Sequence, residues 1–163
     1  MVLKVIYSLF LGLLLVTFIG VGIAAFYPAP KSPDYPTVLN KPVAGPDYRE
    51  SPEDQKIRED YDATQKQYQK DLERYSRNVS SIAIGFAIII LILSLILAHS
   101  ILLISDGLLL GGVFTLIYGI GWGFAAQDNI YRFVVVTIGL VIALFLGYWK
   151  FVKQAASPKP KTQ

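Results

Sequence analysis

Long stretches without a formal charge alternate along this chain with short stretches crowded by them. No Asp, Glu, Lys or Arg occurs from Val5 to Tyr27, from Ile82 to Leu97, from Gly107 to Gln127 or from Phe133 to Trp149. Each run is close to the ~20 apolar residues that an α-helix needs to cross a ~30 Å hydrocarbon layer. The pattern predicts an all-α integral membrane protein with four transmembrane helices, over residues 1–27, 82–104, 105–127 and 130–151. The first run exceeds the about 7–15 apolar residues of a secretory signal, so it reads as an uncleaved signal anchor.

The polar stretches carry their own punctuation. Residues 28–50, PAPKSPDYPTVLNKPVAGPDYRE, contain six prolines, which exclude both a helix and a central strand. They predict an extended spacer. Pro30-Lys31-Ser32-Pro33 and Pro33-Asp34-Tyr35-Pro36 match the PxxP pattern, which any proline-rich spacer produces. Ser51-Pro52-Glu53-Asp54 then offers a serine N-cap, proline at the first helical position and acids at the positive end of the helix dipole. No glycine or proline follows until Gly85, and Asp54/Arg58, Asp62/Lys66 and Glu73/Arg77 stand at i,i+4 with the acid leading. An extracytoplasmic amphipathic helix over 51–81, continuous with the second span, is expected to project ~45 Å. Asp106-Gly107 marks a turn before the third span, capped by Ser105 or Asp106, and AQDN at 126–129 separates the third span from the fourth.

One face of the long helix is distinctive. Tyr61, Tyr68 and Tyr75 fall seven residues apart and lead to Ile82, with Leu72 and Val79 between them. This is the spacing of a coiled-coil seam. Arg58 and Gln65 interrupt it towards the tip. These residues are the candidate partner-binding set, for a second copy or a membrane-protein partner. The alternative is a helix that packs on its own proline-rich spacer.

The third span is rich in glycine. Gly107, Gly111, Thr115, Gly119 and Gly123 recur every four residues. Ser8, Gly12, Gly20 and Ala24 share that phase in the first span, as do Gly139, Ala143 and Gly147 in the fourth. In lipid, small residues let helix backbones approach, and that approach drives association. Gly119-Ile120-Gly121-Trp122-Gly123 lacks the preceding strand and the charged partner that a phosphate-binding loop needs. These glycines are expected to pack helices.

Composition agrees with the membrane reading. Hydrophobic residues make up 53% of the 163, and only 17% are charged. Cysteine is absent, so no disulfide or thiolate site can form. The net charge of +3 comes from the tails rather than from a nucleic-acid-binding patch. Lys4 precedes the first span, and Lys150, Lys153, Lys159 and Lys161 follow the last, which predicts both termini in the cytoplasm, with residues 152–163 a basic tail. Tyr7, Tyr148 and Trp149 at the inner ends, and Tyr27, Trp122 and Tyr131 at the outer ones, fit aromatic belts.

Catalytic chemistry is sparse. The spans carry Ser8, Thr17, Ser94, Thr115, Tyr118 and Thr137, whose hydroxyls ordinarily bond back to the preceding turn. His99 and Asp106 lack a nucleophile or metal-ligand set around them. Gln127-Asp128-Asn129 with Arg132 reads as a solvated turn, and the sequon Asn78-Val79-Ser80 abuts the membrane. Lys159 and Lys161 resemble a dilysine retrieval signal, which would place a eukaryotic chain in the endoplasmic reticulum membrane; otherwise the plasma membrane is expected. No cofactor, metal, nucleic acid or small-molecule substrate is indicated. The reading is a non-catalytic accessory or scaffold protein surrounded by membrane lipid, with a small channel or transporter subunit, its path formed in an oligomer, as the alternative.

Overall fold

The computed structural model describes residues 2–37, 51–98 and 100–149. It contains four helices: α1 (Val2–Phe26), α2 (Pro52–Leu97), α3 (Leu102–Ala125) and α4 (Asn129–Gly147). Each is long and apolar enough to cross a membrane. Most of the spacer (38–50), His99, Lys150 and the basic tail lie outside the described residues.

α2 starts as its sequence dictates. Ser51 is extended, with ψ at 151°, and its Oγ accepts from the Asp54 N–H at 3.1 Å. Pro52 follows at the first helical position. With nothing to break it, the helix runs for 46 residues, about 69 Å at ~1.5 Å per residue. Its first half is charged and its second half apolar, so the boundary expected near residue 81 is a change of surface within one rod.

The return between α2 and α3 lies earlier than Asp106-Gly107. The chain reverses between the end of α2 at Leu97 and the start of α3 at Leu102, with Ser100 and Ile101 both donating to the Leu97 carbonyl. Asp106 and Gly107 are therefore helical, and Ser105 is no cap. Two tertiary contacts outweigh the local turn signal. Ser94 Oγ donates to the Ser105 carbonyl at 2.8 Å, while Ser105 Oγ donates to the Ser94 carbonyl at 2.9 Å. Leu11 also fills the space a Cβ at Gly107 would need, 2.6 Å from that point. Both contacts require residues 105–107 to stay in the helix.

α3 is the central element. α1 runs parallel to it, with Gly12 against Leu110 and Gly111, and Gly20 against Tyr118. α2 runs antiparallel to it, with Leu91 against Gly112, Ala83 and Ile84 against Gly119, and Ser80 against Gly123. α4 returns antiparallel to α3 through Val135 and Gly139, its start capped by Asp128, which accepts from the Ile130 and Tyr131 N–H groups. The outer faces are apolar: Phe18 is 77% exposed, Phe26 92% and Phe133 73%. Helices that are apolar all round and expose large side chains suit a hydrocarbon surround.

Candidate interaction sites

Two surfaces come from the residues singled out above: the small-residue face of α3, and the tyrosine face of α2.

All five members of the α3 series, Gly107, Gly111, Thr115, Gly119 and Gly123, are buried. They do not share one partner. A step of four residues advances ~400°, so the series drifts ~40° per step and ~160° from end to end. Gly107 faces Leu11, and a Cβ at Gly111 would lie 2.7 Å from Leu15 and 3.4 Å from the Gly12 Cα, all on α1. Gly119 meets Ala83 and Ile84 on α2, and Gly123 lies between Ser80 and Val135 of α2 and α4. Thr115 returns its hydroxyl to the Gly111 carbonyl at 2.7 Å. The single stripe is thus a spiral that serves three neighbours in turn. Gly112 adds a further close approach, with Leu91 2.6 Å from the Cβ it lacks.

The same drift governs the other two series. On α1, Ser8 and Gly12 are buried and Gly20 faces the Tyr118 ring, but Ala24 is exposed and Ile19 and Ile23 take over the inner face. On α4, Gly139 lies against Ile120, whereas Ala143 is exposed and Gly147 has nothing within 4 Å of its Cβ position. By Gly147 the series has turned ~80° away from α3.

The tyrosine face of α2 packs on its own chain. Tyr75 is buried, stacked on Tyr27 at 5.2 Å between ring centres and 6° between planes, with Trp122 edge-on at 5.5 Å. Asn78 Nδ2 donates to the Tyr27 hydroxyl at 2.8 Å. Val79 is fully buried in this cluster, and Leu72 packs against it. Further out, Tyr61 meets Tyr35 edge-on at 5.3 Å, and Tyr68 borders a cleft of ≈ 350 Å³ shared with Pro30 and Pro33. The segment after α1 is therefore a strap laid along α2. The expected coiled-coil seam is closed by it, because an extended proline-rich segment enters the interface already stiff and loses little entropy on docking.

Polar residues of α2 and α4 hold the α3–α4 connection. The Tyr131 hydroxyl donates to the Arg77 carbonyl at 2.9 Å and lies 2.9 Å from Ser81 Oγ. The Arg77 guanidinium sits over the Tyr131 ring at 5.3 Å and 4.0 Å from Asp128. It reaches there instead of back to Glu73, and no ion pair joins Asp62 to Lys66 among the described residues. Arg132 Nε donates to the Ala126 carbonyl at 2.8 Å.

Sequence reasoning missed the Ser94/Ser105 exchange. Thr17, Thr115 and Thr137 bond back within their helices as expected, but Ser94 does not. Two serines on helices joined by a short turn were the available signal. Among the described residues, no group of three His, Cys, Asp or Glu side chains could hold a metal ion.

Two outcomes follow from this packing. Gly119→Ile should destabilise the bundle by ~1–3 kcal/mol, the cost of overpacking, and lower the melting temperature in detergent. Gly121→Ile should do little, because nothing lies within 4 Å of its Cβ position; equal losses would contradict the assignment. Tyr75 supplies a pH test. Burial first, then the neighbouring Tyr118 and Tyr27, raises its phenol above the ordinary 10.0, so the fold favours the neutral form. That contribution is intact below pH 10.0 and disappears as pH rises through the raised value. Tyr75→Phe, which cannot ionise, should flatten the alkaline fall in stability measured by circular dichroism; an unchanged alkaline profile would contradict this. Compared with protein-family models, with curated proteins and with solved structures, the chain matches none.

Proposed function

We propose that this chain is a multi-pass membrane protein of the plasma membrane that acts as a non-catalytic scaffold, holding a partner at a set height above the bilayer. One observation carries the reading: α2 continues without a break from an apolar half into a charged half, and a strap of the same chain braces the charged half. The parallel start of α1 and α3 and the lysines flanking the first and last spans support both termini in the cytoplasm. The charged half of α2 then stands outside.

The tyrosines do not themselves meet the partner in this arrangement. Tyr61, Tyr68 and Tyr75 keep the strap seated and the rod straight. About half a helical turn away, Lys56, Lys66, Lys70 and Arg74 are exposed, and this is the face left for an aqueous partner. Stiffness matters here because a braced helix needs no ordering on binding, which preserves affinity.

Purification at native abundance in mild detergent tests the proposal. The chain should elute with a partner or as an oligomer, and Lys66→Glu with Lys70→Glu should weaken that association about tenfold while leaving membrane insertion intact. A parent chain recovered alone and monomeric would sink the scaffold reading.

A further inference from the structure

α1 contains a single charged residue, Lys4, and α3 a single charged residue, Asp106. The fold brings these two to one place. Because α1 and α3 are parallel and in register, Lys4 in the first turn of α1 and Asp106 near the start of α3 line the same cleft, of ≈ 320 Å³. Ser8 adds a hydroxyl at its wall. The rest of the lining is hydrocarbon, chiefly Leu102, Leu103, Leu109 and Leu110. Asp106 also borders a second cleft, of ≈ 210 Å³, on the α2 side of α3.

We infer that the cleft between α1 and α3 binds a zwitterionic phospholipid whose headgroup carries a primary ammonium. The inference rests on the membrane reading above and adds a ligand to it. Side chains on a helix lean towards its N-terminus, so Lys4 and Asp106 both reach towards the bilayer surface at which α1 and α3 begin. The leucine walls below them match an acyl chain. The lysine ammonium takes the lipid phosphate, as a point charge with three donors. A purely anionic headgroup would meet the Asp106 carboxylate as a like charge. A headgroup ammonium instead donates N–H bonds to it, and a carboxylate has room for more than one donor. A choline has no N–H to donate, so the pair of charges distinguishes ethanolamine from choline as well as from glycerol headgroups.

The test uses the full chain reconstituted into bilayers of phosphatidylethanolamine, phosphatidylcholine and phosphatidylglycerol in equal amounts. The lipids that stay with the protein are then weighed by native mass spectrometry. Phosphatidylethanolamine should be retained about fivefold over either competitor, equivalent to about 1 kcal/mol. Asp106→Asn should abolish the preference over phosphatidylcholine, and Lys4→Gln should lower retention of all three. The ratio measured on the parent needs no variant, so it decides the matter even if a variant fails to fold. A parent that holds the three lipids in bilayer proportions, or prefers phosphatidylglycerol, overturns the headgroup site. A chain that does not enter the bilayer at all overturns the membrane reading instead.

Discussion

The missing side chains of α3 are the constraint on which the rest of the structure depends. In the proposed lipid setting, burying one more leucine between helices gains little, since lipid tails are as apolar as leucine. Attraction must come from close contact, and dispersion rewards only atoms that touch. Gly107, Gly111, Gly112, Gly119 and Gly123 remove the Cβ atoms that would hold neighbours away, and Leu11, Leu15, Leu91 and Ile84 occupy the space. Because the glycines spiral, one helix becomes the shared wall for three others. The reciprocal serine pair at the α2–α3 return then fixes their register.

That core has a consequence outside it. α2 is anchored along its apolar half by Ile84, Ala87, Ile90 and Leu91, so its charged half leaves the bundle in a set direction. An isolated polar helix of this kind would fray at its tip. The stack of Tyr27 on Tyr75 and the contact of Tyr35 with Tyr61 tie that half, as far out as Tyr61, to the end of α1 through the strap. Architecture inside the bundle and reach outside it are therefore one mechanical unit, the property on which the proposed scaffold role depends.

The features legible in the sequence were local ones. Charge-free runs give four apolar helices because length and composition alone decide whether a segment can span. Ser51 and Pro52 announce the start of α2 because capping is a matter of adjacent residues. The features that escaped depend on distant ones. Asp106-Gly107 looks like a turn until Leu11 is placed against it, and Ser94 looks like a self-bonded hydroxyl until Ser105 is opposite. A four-residue series looks like one face until its drift is followed, which is why Ala143 and Gly147 seemed equivalent to Gly139. Tyr61, Tyr68 and Tyr75 read equally as a partner seam or as a bed for the strap. Only the pairing with Tyr27 and Tyr35, far back in the chain, separates the two.

Crosslinking between engineered cysteines probes the central claim, that α3 lies between α1 and α2 with its glycines in contact with both. The chain has no cysteine of its own, so every link formed is informative. The Cβ position at Gly107 is 3.1 Å from Leu11 Cβ, and that at Gly119 is 3.2 Å from Ala83 Cβ. Both are close to the ~3.5–4.5 Å that a disulfide spans. Under mild oxidation in membranes, Leu11→Cys with Gly107→Cys and Ala83→Cys with Gly119→Cys should each yield an intramolecular linked peptide by mass spectrometry. Ala83→Cys with Gly121→Cys should not. Failure of both glycine pairs, or equal linkage at Gly121, would contradict the account.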